Sequence, residues 1–190
     1  MCSYGANVKV ALIHHPVVDK NGQTIAAAVT ALDLHDISRT SKTFGVDRFY
    51  VVTPLEDQQE LVRQIIDHWV TGAGARYNPD RRAALDLIRL KASLEEVLAE
   101  MHAEGREPPL VVVTSAGMGN SDLDYAALRG LLRGNRPVLL VFGTAWGLAP
   151  QVIKAADYRL APISGGGRYN HLSVRSAVSI ILDRVLGDGE

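Results

Sequence analysis

Four short, mostly apolar runs organise this 190-residue chain: 8–13 (VKVALI), 48–53 (RFYVVT), 110–114 (LVVVT) and 137–142 (PVLLVF). Strand side chains alternate between faces, so a run that is apolar at nearly every position reads as a strand covered on both sides. The stretches between the runs carry helical periodicity. Strand and helix in alternation predict an α/β domain built on a mainly parallel sheet flanked by helices. With 47% hydrophobic and 22% charged residues, the chain has enough apolar material for one core, and 1–190 reads as a single domain.

The helical stretches have recognisable ends. Residues 24–43 read as a helix stopped at Gly45, and 57–70 as a second. Residues 71–80 read as a polar loop, and 87–91 as a short strand. Ser93 followed by Glu96 has the capping-box spacing and opens a helix over 93–104. A short helix is expected over 123–132, with the Asp122-Leu123-Asp124 carboxylates serving as its N-terminal cap. The last helix is the most regular: Val174, Ala177, Val178, Ile181, Leu182 and Val185 fall on one face, with Ser173 at its N-cap.

Several function classes are disfavoured. A lone cysteine, Cys2, builds no disulfide and no thiolate zinc cage. His14-His15 is a poor metal pair, because adjacent strand residues point to opposite faces and no H-x-x-x-H or carboxylate partner accompanies them. No metal is expected. No apolar stretch approaches the roughly 20 residues that span a bilayer, and no leader precedes the first strand, so a cytoplasmic protein without a membrane partner is expected. Net charge is −1. Local cations suffice for phosphate binding, and Arg76, Arg81, Arg82, Arg129, Arg133 and Arg136 are candidates.

Ligands of open α/β sheets bind beyond the carboxyl ends of the strands. Three glycine-bearing loops occupy that position: 114–119 (TSAGMG), 143–148 (GTAWGL) and 162–167 (PISGGG). Neither G-x-G-x-x-G nor a P-loop is present. Three such loops after three strands point to one shared cleft, where glycines let the backbone approach a ligand closely. On helix 24–43, Asp36 and Arg39 stand at i, i+3, the spacing of a surface ion pair.

Together these segments resemble the SPOUT superfamily of methyltransferases. Residues 36–40 (DISRT) running into Phe44-Gly45 resemble its first motif, 141–148 (VFGTAWGL) its second, and Ile163 through 170–174 (NHLSV) its third. The text HHPV, LDLHDISRT, QVIKAADYRLAPI and YNHLSVRSAVSIILDRVLG is similar to small single-domain bacterial members, nearly end to end. The resemblance implies a C-terminal deep trefoil knot, S-adenosylmethionine (SAM) as methyl donor, RNA (rRNA or tRNA) as substrate, and a homodimer joined through the first and last helices.

It also implies site residues. The donor nucleoside is expected on Thr114, Ser115, Ala116, Gly143, Thr144, Gly147, Leu148, Ile163, Leu172 and Ser173. Arg39 matches the first-motif arginine, which in ribose methyltransferases helps activate the hydroxyl. The glycine loop has Ala145-Trp146 where those enzymes carry an acidic residue, and HLS stands where they have SLN. Base methylation is therefore open as well, with Asp36, Asn170 or His171 assisting proton removal. Two other readings keep the same loops: a non-catalytic knotted dimer that holds SAM or RNA, and a methyltransferase for a non-RNA substrate.

Overall fold

The computed structural model describes residues 7–104, 107–117, 121–167 and 169–187. Its centre is a six-stranded parallel sheet in the order β5-β4-β1-β7-β6-β8. β1 (Val8–Ile13) pairs with β4 (Arg48–Val52) on one side and β7 (Val138–Gly143) on the other. β5 (Ile88–Lys91) closes one edge, and β6 (Leu110–Val113) with the two-residue β8 (Tyr158–Arg159) the other. From β1 the chain moves outward to β4 and β5, then crosses the sheet and inserts β7 beside β1. That reversal makes β1/β7 the topological switch point, where α/β sheets open a crevice.

Burial follows the strand period of two. Val8, Val10, Leu12, Leu140 and Phe142 join one core cluster with Leu34 and Ile37 of α1 (Ala31–Thr43) and Val178, Ile181 and Leu182 of α8 (Val174–Leu186). Ala11, Ile13, Leu139 and Val141 join the other. There they meet Leu94, Val97 and Met101 of α5 (Leu94–Glu104) and Val152 of α7 (Pro150–Ala155). Helices thus cover both faces, as the continuous apolar runs require.

The expected helix over 24–43 begins late. Thr24–Ile25 is instead β3, paired antiparallel with β2 (Val17–Val18). The next residues run extended, with the Ala27 N–H donating to His14 O at 2.7 Å and the Val29 N–H to Gln58 Oε1 at 2.8 Å. Those tertiary bonds take donors that a helix would have kept. α1 starts only at Ala31, capped by the Thr30 side chain, and ends as expected before Gly45, whose φ is +70°.

The second helix, α2 (Glu56–Ile66), widens into a π-helical turn over Asp67–Thr71. The predicted polar loop holds two short helices, α3 (Ala73–Tyr77) and α4 (Pro79–Leu85). Asn78 caps the latter by accepting from the Arg81 N–H at 2.9 Å. Ser93 Oγ accepts from the Glu96 N–H, while the Glu96 carboxylate reaches back to the Ala92 N–H instead of that of Ser93. Asp124 caps α6 (Tyr125–Leu132) through the Ala127 N–H at 2.7 Å, as its spacing predicted. α7 had no sequence prediction, because six residues are too few to show a period.

Leu140 lies fully buried in β7 at the centre of the sheet. Leu140→Ala is expected to lower stability by about 2–5 kcal/mol, read from the urea unfolding midpoint at unchanged m-value.

Candidate functional site

At the carboxyl ends of β7, β6 and β8 the structure opens a cleft of about 850 Å³. Its walls include Thr114, Ser115 and Ala116 after β6, Gly143, Thr144 and Gly147 after β7, and Ile163, Asn170, His171, Leu172 and Ser173 ahead of α8. The three loops singled out in the sequence therefore converge. Leu148 is the exception. Its side chain is buried in the core, and its place is structural, bridging to Val17.

Hydrogen bonds explain why the loops meet. Thr144 caps the end of β1, its N–H and Oγ1 both donating to Ile13 O at 3.2 and 3.0 Å. Thr114 does the same one strand over, donating from N–H and Oγ1 to Val141 O at 3.0 and 3.1 Å. Asn170 Nδ2 donates to Ala116 O at 3.0 Å and ties the third loop to the first. Ser173 Oγ accepts from the Ser176 N–H and starts α8 at the cleft edge. Asn170 and Ser173 thus have local structural partners in addition to their position on the wall.

Gly143 has a precise steric reason. A Cβ there would lie 2.7 Å from Leu148 N and 3.0 Å from Gly147 C, so any side chain would push the returning loop away. Gly147 has a φ of +119°, outside the range that other residues hold without strain.

Asp33, from the buried side of α1, also lines the cleft. Its carboxylate is only 10% exposed, accepting from Thr30 Oγ1 at 2.7 Å and from Arg175 Nη1 at 3.3 Å. Among the described lining residues the ionisable ones are Asp33, His171 and Arg175. Sequence spacing did not single out Asp33 or Arg175, since they are 142 positions apart and meet only when α1 packs on α8. The available signal was Thr30 three residues ahead of Asp33, a capping pair masked by the expectation that the helix began earlier.

Asp36 and Arg39 lie elsewhere. They line a second, shallower hollow of about 620 Å³ between α1 and α8. The expected Asp36–Arg39 pair gives way to Asp36–Arg175, at 3.5 Å, because α8 supplies a guanidinium from across the helix interface. Arg175 lines both hollows and stands between the two aspartates. Behind the cleft, His14 is fully buried, and burial pushes its pKa below the usual histidine value against the opposing pull of Asp33. Among the described residues no three His, Cys, Asp or Glu side chains are grouped to hold a metal ion.

Of the arginines proposed as local positive charge, three have structural partners. Arg81 lies over the Trp69 ring at 4.5 Å, Arg129 donates to Arg184 O and Arg136 to Pro108 O. Arg76, Arg82 and Arg133 are exposed.

A family model described as SAM-dependent RNA methyltransferase matches residues 7–187. The chain belongs to that family. A curated relative from Oleidesulfovibrio alaskensis, named tRNA (guanine-N(1)-)-methyltransferase, is 46% identical over 184 residues. That match takes in 97% of this chain but 43% of the relative, so the chain spans less than half of that protein's length. Among solved structures, a probable methyltransferase from Bordetella pertussis superposes with a TM-score of 0.63 at 17% identity, covering 97% of both chains. The SpoU methyltransferase AviRb from Streptomyces viridochromogenes, solved with AdoMet, gives 0.55 at 18% identity over 96% of this chain and 57% of that one. The chain therefore shares its fold with these methyltransferases.

A SAM-dependent methyltransferase needs a pocket for a nucleoside bearing a sulfonium, and this cleft fits one. Its volume falls in the range of small-ligand sites. Gly143, Thr144 and Gly147 bring backbone to its wall, and Asp33, paired with Arg175, places a recessed carboxylate beside it. For Gly143→Val the expected result is a loss of SAM affinity of at least about tenfold, measured by isothermal titration calorimetry. Unchanged affinity would remove the glycine loop from the binding site.

Proposed function

We propose that this chain is a SAM-dependent RNA methyltransferase, acting as a homodimer on a ribose hydroxyl or base atom of tRNA or rRNA. The observation that carries this reading is the convergence of three strand-end loops around one cleft with a recessed carboxylate, in a chain of this family. The relative's name supports RNA, and tRNA in particular, as the substrate. That name belongs to a protein more than twice as long, so the modified atom is not carried over from it.

SAM, when bound, presents an electrophilic methyl group on sulfur to a nucleophile approaching in line. The chain's part is to hold and deprotonate that nucleophile. Thr114, Ser115, Ala116, Gly143, Thr144, Gly147, Ile163, Leu172 and Ser173 would grip the nucleoside, chiefly through backbone groups. Asp33 is the proton acceptor in this proposal. Thr30 and Arg175 orient its carboxylate, and the recessed position keeps water from competing. Asn170 and His171 stand on the same wall and would position the substrate.

Arg39 is exposed, and its guanidinium stays charged. We assign it, with Asp36, to RNA held along the α1–α8 hollow, at a phosphate or at the developing oxyanion. The same helices are the proposed dimer contact, supported by Leu32, 63% exposed on α1. The knot expected from the superfamily belongs to this proposal, as does one domain over 1–190. So does a cytoplasmic location; no helix among the described residues is long and apolar enough to cross a membrane.

The decisive assay transfers labelled methyl from SAM to total RNA of a deletion strain, with nuclease-treated controls and nucleoside mass mapping. SAM binding without transfer would leave a binding module, and nuclease-resistant labelling a non-RNA substrate. Asp33→Asn keeps an oxygen for the Thr30 contact and removes the base. It is expected to lower kcat by about 10²–10⁴-fold, with binding of S-adenosylhomocysteine within a few-fold of wild type. Arg39→Ala is expected to lose transfer strongly with SAM affinity little changed, and collapse of SAM binding would refute its assignment to the RNA side.

A further inference from the structure

Trp146 is anomalous for a fixed loop residue. Its side chain is 70% exposed, yet it lines the mouth of the cleft. Beyond Gly147, Leu148 and Ala149 are buried. The chain changes level through Ala145, a non-glycine residue at φ +51°, and Gly147 at φ +119°. A left-handed alanine is held only where its surroundings over-determine it.

Those surroundings are explicit. The Trp146 N–H donates to Val18 O at 3.1 Å, and Gly147 O accepts from the Val18 N–H at 2.9 Å. The Gly147 N–H donates to Thr144 O at 2.9 Å, and Thr144 is itself bonded to the end of β1. The β2–β3 hairpin thus works as a brace that holds the Trp146 backbone in place. Beside the same cleft stands a second exposed aromatic. Tyr169, 80% exposed, packs edge-on against the lining residue His171 with ring centroids 5.4 Å apart.

We infer that Trp146 is the stacking platform for the RNA nucleotide being modified, with Tyr169 as a second contact on the same rim. This rests on the RNA methyltransferase reading above and adds the subsite that receives the nucleotide. The proton acceptor proposed there is recessed, so an atom within a stacked helix does not reach it, and the nucleotide has to leave its stack. An unstacked base needs an apolar face to replace its lost neighbours. An indole fixed at the entrance supplies one, and tolerates any base because every base has a π-face. A loop required only to turn would not place its largest apolar side chain in water beside the cleft.

The test uses the full chain in a Trp69→Phe background, so that Trp146 is the sole tryptophan. A short single-stranded oligoribonucleotide is expected to quench its emission, whereas S-adenosylhomocysteine alone is not. Trp146→Ala should lower kcat/KM for RNA by about 10- to 100-fold with SAM affinity within about twofold, and Trp146→Phe should restore most of it. Quenching by S-adenosylhomocysteine alone would move Trp146 to the donor site. Blue-shifted emission that depends on protein concentration without RNA would move it to the subunit contact. Either result, or an unchanged kcat/KM in Trp146→Ala, overturns the inference. Should wild-type protein methylate no RNA, the activity reading falls, while the oligonucleotide titration still decides the stacking role.

Discussion

Parallel pairing of the strands governs the rest of this molecule. When every strand of a sheet runs the same way, every loop that leaves a carboxyl end leaves from one edge. β1, β7 and β6 are neighbours in register, from Val8 opposite Val138 to Ile13 opposite Gly143. Segments more than a hundred residues apart therefore emerge side by side, and the cleft is a direct product of strand order. The hydroxyls of Thr114 and Thr144 reinforce this by closing each strand end onto the carbonyl of its neighbour.

On that edge the glycine loop after β7 is held in a tight geometry. Gly143 lies so close to the returning backbone of 147–148 that no Cβ fits between them. That geometry also calls for a support outside the loop. The β2–β3 hairpin provides one, hydrogen-bonded to 146–147 and bridged at Val17 to Leu148. Segment 24–29, which has the apolar composition of a helix start, is drawn into this brace, and the cleft gains Ala27 and Ala28 as wall.

Arg175 joins the cleft to the hollow beside it. It contacts Asp33 on one side and Asp36 on the other, so the two aspartates of α1 share one cation from α8. Asp33 is recessed and the Arg39 side of the helix is exposed, which divides α1 into an inner face turned to the cleft and an outer face turned to solvent. The packing of α1 on α8 is what sets both positions.

The sequence by itself determined the α/β class, the extents of β1, β4, β5, β6, β7, α5 and α8 to within a residue, the three glycine loops and the N-caps at Ser173 and Asp124. Each of these rests on local preference: apolar runs for doubly covered strands, a 3.6-residue stripe for α8, small residues where the chain turns. The family likeness added SAM and the three motifs that resemble those of its methyltransferases. Tertiary structure alone decided that 24–29 braces a loop instead of opening a helix, because its N–H groups bond to His14 and Gln58. It alone brought Asp33 to Arg175, separated Arg39 from the cleft and turned Leu148 into the core. Local sequence patterns record what a segment prefers in isolation, whereas these outcomes depend on partners supplied by distant segments once the sheet has assembled.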